Sequence, residues 1–111
     1  MKVKLEKLIG PEETVSGLTL GREYGVIGIE ADWYRIINDE GDPCLYEPDC
    51  FSVIDPTEPT FWDCKFGEEG ERYCYPTSWN RVGFFEDYHD SVQSVVRQFW
   101  REHEALYGAK P

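Results

Sequence analysis

The stretch from Leu18 to Ile54 constrains the fold most, because it is a succession of short β-rich runs closed by turn residues. Glu23 to Glu30 carries Tyr24, Val26 and Ile29 and reads as one strand, with Gly25 and Gly28 inside it marking a bulge or a close backbone approach. Ala31-Asp32 is a short turn. Trp33 to Asn38 follows as a strand with Ile36 and Ile37 covered, and Asp39-Glu40-Gly41-Asp42 has the residue types of a hairpin turn. Cys44 to Glu47 returns, Pro48 to Cys50 fits a single 3₁₀ turn, and Phe51 to Ile54 closes the edge. The whole reads as a small antiparallel β-barrel.

The flanking segments add to it. Met1 to Ile9 alternates, with Val3 and Leu5 on one face and Lys2 and Lys4 on the other, which predicts a first strand. Gly10-Pro11-Glu12-Glu13 ends it, and the polar residues up to Gly17 predict a long mobile loop. Beyond Asp55-Pro56, Phe61 to Phe66 and Arg72 to Tyr75 predict a second hairpin around the acidic turn Gly67 to Glu71. This hairpin echoes the first: an acidic glycine turn, a tyrosine near a proline, and an aromatic three residues past that proline recur about 29 residues on. Chance similarity and a hairpin that extends the first sheet both account for the echo.

Val92, Val95, Val96, Phe99, Trp100, His103, Leu106 and Tyr107 recur at helical spacing and predict an amphipathic helix from about Ser91 to Tyr107. Asp87 or Asp90 is placed to cap it, and Gly108 to stop it. The expected organisation is residues 1–55 as the barrel, with 56–111 as a hairpin and helix packed on it in one compact unit.

At 111 residues, 41% of them apolar, the chain has enough material for a core without covalent staples. The cysteines at 44, 50, 64 and 74 form no CxxC pair and match no common zinc spacing. Met1-Lys2 leads straight into a charged strand, not an export signal, so four reduced thiols in a cytoplasmic protein are expected. No apolar run is long enough to span a bilayer. Twenty-two carboxylates against eleven Lys and Arg give a net charge of −11. Such a surface repels phosphate backbones and anionic lipids, which disfavours direct nucleic-acid binding and suits a basic protein partner.

The order of these pieces resembles the SH3 superfamily, in bacterial SH3-like form, and also short bacterial and phage proteins expected to share the barrel. The matching residues are Leu18-Thr19-Leu20, Gly21-Arg22-Glu23, Tyr24 to Ile29, Asp32-Trp33-Tyr34, Gly41 and Pro48-Asp49-Cys50-Phe51-Ser52-Val53. The resemblance implies a groove for polyproline-II peptides on Trp33, Tyr46, Pro48 and Phe51. Two departures stand out. Val3-Lys4-Leu5-Glu6-Lys7 takes the place of the tyrosine-bearing first strand, and Phe51 replaces a tyrosine.

No nucleophile, phosphate-loop or dinucleotide motif is present. Glu86, Asp87, His89 and Asp90 form the only dense polar cluster resembling a metal or acid/base site, and it reads as helix capping. The acidic turns at 39–42 and 68–71 lack calcium-loop spacing and read as solvated hairpin tips. No catalytic residue, metal ligand or cofactor is therefore assigned. The expected function is a non-enzymatic acidic protein-interaction module of open oligomeric state. The alternative is an acidic inhibitor, such as an immunity protein or a mimic of DNA charge, with carboxylates gathered against a basic partner.

Overall fold

The structure, a computed structural model, describes all 111 residues. Eight strands run β1 Lys2–Leu5, β2 Glu23–Gly25, β3 Gly28–Glu30, β4 Trp33–Ile37, β5 Pro43–Tyr46, β6 Phe51–Asp55, β7 Trp62–Phe66 and β8 Arg72–Pro76. Two helices follow, α1 Phe84–His89 and α2 Gln93–Tyr107. Short 3₁₀ turns sit at Pro48–Cys50 and Thr77–Trp79.

The strands form two antiparallel sheets, ordered β2-β1-β6 and β5-β4-β3-β8-β7. Neither closes on itself, so what holds of the expected barrel is the coarser statement: a mainly β chain with a C-terminal helix. The run expected as one strand from Glu23 to Glu30 is two strands, and Val26-Ile27 carries the chain from one sheet to the other. Val26 N donates to Met1 O at 3.0 Å and Ile27 N to Arg35 O at 2.9 Å. Consecutive extended residues face opposite ways, so Val26 enters the core between the sheets while Ile27 enters the core beneath the helices. The five-stranded sheet is thus covered on both faces. Val3, Leu5, Ile29, Ile36 and Tyr46 fill one side, and Ile37, Tyr75, Trp79, Phe85 and Phe99 the other.

Gly28 shows why a glycine is needed at that crossing. A Cβ there would fall 2.1 Å from the ring of Tyr75. At Gly25 nothing lies within 4 Å, and no close approach explains it.

The second hairpin does extend the sheet, with β8 pairing to β3. It also repeats the first hairpin element for element, with β7, β8 and the second 3₁₀ turn starting at Trp62, Arg72 and Thr77 where β4, β5 and the first start at Trp33, Pro43 and Pro48. The turns match in their bonds. Asn38 N donates to Asp42 O and Gly67 N to Glu71 O, each at 2.8 Å, and Gly41 and Gly70 share a positive φ of 84° and 83°.

The C-terminal helix runs nearly as the spacing predicts, as α2 from Gln93 to Tyr107, with the short α1 set off before it. Asp90 ends α1, Ser91 takes φ +62°, and α2 begins after Val92 with no side-chain cap, so neither Asp87 nor Asp90 caps it. Gly108 does terminate α2. Its docked stripe is narrower than the spacing implies. Val95, Phe99 and His103 are buried, whereas Val92 and Leu106 lie exposed at its margins.

The expected set of four free thiols needs correction. Cys64 and Cys74 are directly opposite in the β7–β8 register and are joined by a disulfide, while Cys44 and Cys50 are free. The reason is hairpin geometry: a turn centred on residue 69 brings 64 and 74 together whatever their distance from a CxxC pattern.

Candidate functional site

The 3₁₀ turn at Pro48–Cys50, the first residue of β4 and the long loop between β1 and β2 enclose a cleft of about 250 Å³. Pro11, Glu12, Trp33, Glu47, Pro48 and Asp49 line it. Proline at the first position of the 3₁₀ turn is locally favoured, because its fixed φ suits a helical start and its missing N–H costs no bond. Trp33 opens β4, is half-buried and lines the cleft.

Glu47 builds the cleft's far wall. It is 3% exposed, and its carboxylate accepts hydrogen bonds from the backbone N–H of Glu12 at 3.1 Å and of Glu13 at 3.2 Å. Gly10 leaves room for it, since a Cβ there would fall 1.6 Å from Glu47 Oε1. Burial pushes the neighbouring Glu13 carboxyl up, against the pull of the Glu47 backbone N–H.

The loop from Glu6 to Arg22 is therefore tied down rather than loose. At its other end Tyr46 Oη donates to Ser16 O at 2.8 Å, and Asp39 N donates to Gly17 O at 2.8 Å. The Asp39 carboxylate accepts from Thr19 Oγ1 at 2.7 Å and from Tyr24 Oη at 2.8 Å. Those bonds, Thr19's foremost, hold its carboxyl below the usual range. The acidic turn is exposed as expected, and Asp39 at one end of it also anchors the loop.

Of the four residues expected at a groove, Trp33 and Pro48 meet in the cleft. Tyr46 lies in the core between the sheets at 4% exposure, where burial pushes its phenol up to about 12. Phe51 is half-buried beside it, packed edge-on against Tyr34 at 5.7 Å and Tyr46 at 6.5 Å. Neither lines the cleft. Pro11, Glu12, Glu47 and Asp49 were not singled out from the sequence. The available signal was the acid–proline pairing itself, Pro11-Glu12 and Glu47-Pro48-Asp49.

The polar cluster at the start of α1 is dispersed among separate partners. Asp87 takes Arg81 at 3.1 Å, and His89 Nε2 lies 3.1 Å from Pro43 O. Gly83, not an acid, stands at the N-cap. A larger cavity of about 380 Å³ lies between the β2–β3 crossing and the end of α2, floored by Ile27, Ile37, His103 and Tyr107. Tyr107 Oη donates to Ile27 O at 2.9 Å and accepts from Trp62 Nε1 at 2.8 Å, closing that side of the molecule. No helix is long and apolar enough to cross a membrane. Comparison with protein-family models, with curated proteins and with solved structures found no match.

Proposed function

We propose that this chain is a non-enzymatic protein-interaction module on an SH3-like framework, and that the Trp33–Pro48 cleft receives an extended, basic segment of a partner protein. The framework reading draws on the strand order. The first strand pairs with both β2 and β6, β3 to β5 run as a meander, and the 3₁₀ turn leads back into β6. The observation that carries the functional reading is the make-up of the cleft: an indole face and two prolines bordered by the carboxylates of Glu12 and Asp49. The apolar ledge suits proline rings or aliphatic stems. The carboxylates suit Lys or Arg heads, which also gain from an indole face. A net charge of −11 draws such a segment in from a distance.

The test is titration of a basic proline-containing peptide library into the full chain, followed by amide chemical shifts. Trp33→Ala is expected to abolish binding while leaving the melting temperature within a few degrees. Asp49→Lys is expected to weaken binding and flatten its salt dependence. Binding that survives Trp33→Ala but is lost on reversing Glu68 and Glu69 would sink the cleft reading and favour the acidic inhibitor.

A further inference from the structure

A second group of side chains with chemistry of its own lies on the other hairpin. Cys64 sits exposed on β7, an edge strand, and its bonded partner Cys74 is fully buried on β8. Arg72 stands two residues before Cys74 and so shares its face of β8. Its Nη2 lies 3.2 Å from Cys74 Sγ and 3.9 Å from Cys64 Sγ. Glu58 fixes the guanidinium plane by accepting two bonds, at 2.6 Å from Nη2 and 2.9 Å from Nη1. The Glu58 carboxylate and both sulfurs come within 4.8 Å of one another.

A disulfide sulfur carries no charge for a cation to stabilise, whereas a thiolate does. We propose that the Cys64–Cys74 hairpin is a thiol–disulfide exchange site, opened by low-molecular-weight thiols or dithiols that attack Cys64 and expel Cys74. The reductant's thiolate attacks the accessible Cys64 sulfur. A mixed disulfide forms as the Cys64–Cys74 bond breaks, and the electron pair leaves on Cys74 Sγ, beside Arg72. A second reductant thiol then attacks the reductant's sulfur in the mixed disulfide, forms the reductant's own disulfide and releases Cys64. Two electrons pass to the pair, and the two protons of the reductant end on Cys64 and Cys74 or in solvent. The free cysteines are bystanders. Burial, with Asp42 beside Cys44 and Glu47 beside Cys50, pushes both thiols up and keeps them protonated.

The test places the full chain in reduced and oxidised glutathione at neutral pH, with acid quenching, alkylation and peptide mass spectrometry. The expected result is that the pair opens and recloses in the folded protein while Cys44 and Cys50 stay unmodified. Cys74→Ser collects glutathione on Cys64, and Cys64→Ser collects far less on Cys74. Arg72→Gln, checked for native circular dichroism, opens severalfold more slowly, and Arg72→Lys restores most of the rate. Should Arg72→Gln not fold, the wild-type series and the site of glutathione addition still decide. A pair that opens only in denaturant, glutathione found on Cys74 rather than Cys64, or an unchanged rate in folded Arg72→Gln would overturn the proposal.

Discussion

Removing the Glu47 carboxylate tests whether one buried acid holds the cleft together. In Glu47→Ala the backbone N–H groups of Glu12 and Glu13 lose their acceptor, at present 3.1 Å and 3.2 Å away. A hydrogen bond to a charged group is worth about 1.5–3 kcal/mol. Both donors lie in a half-buried loop where water can replace part of the loss, so the lower end applies, giving roughly 3 kcal/mol for the pair. That is a large share of the roughly 5–15 kcal/mol that holds a domain folded. The cost is concentrated in the loop, because Tyr46 and Asp39 still tie its far end to the sheet. Hydrogen exchange should therefore show the Glu12 and Glu13 amides losing protection while those of Ile36 and Cys74 fall only by the global destabilisation. Chemical denaturation gives the total. A loss under about 1 kcal/mol, together with unchanged exchange at Glu12 and Glu13, would refute the assignment of Glu47 as the pin of the loop.

Three further outcomes follow from the core. Trp79→Ala should cost about 3–5 kcal/mol in urea unfolding, since the indole is 1% exposed and lies among Phe84, Phe85, Phe99 and Tyr107. Gly28→Ala drives a methyl into the Tyr75 ring and should destabilise by about 1–3 kcal/mol, whereas Gly25→Ala meets open space and should change stability far less. Burial holds the His103 imidazole below its ordinary pKa of 6.5, so the folded state resists the proton that the unfolded chain accepts. Stability is then full above about pH 6.5 and declines as pH falls below it. Melting temperatures across that range should show the decline in the wild type and a flatter profile in His103→Phe.

Local features were legible in the chain alone. Glycine and acidic residues set two hairpin turns, Pro48 set the 3₁₀ turn, and Gly108 ended the last helix, because each acts through its own backbone preferences. Trp33 and Pro48 were expected to come together only through the resemblance to the SH3 superfamily, and both line the cleft. The Cys64–Cys74 pairing was also within reach, as the turn at Gly67 to Glu71 already implied its register.

The remaining features rest on packing, and in each case the contact responsible is distant in sequence. Val26 and Ile27 divide one expected strand between two sheets because each finds a different core. The loop after Gly10 is ordered by Glu47, more than thirty residues away, and polar composition says nothing about such a partner. Tyr46 carries the right ring for a groove but points inward, since alternation fixes that successive strand residues face opposite ways and not which face the rest of the chain will cover. The second hairpin repeats the first locally, yet its tryptophan, Trp62, is buried and bonded to Tyr107 while Trp33 lines an open cleft. Equal local patterns became a core residue and a candidate binding residue because Trp62 enters the core between the sheets, its Nε1 bonded to Tyr107, while Trp33 stays half-buried at the cleft.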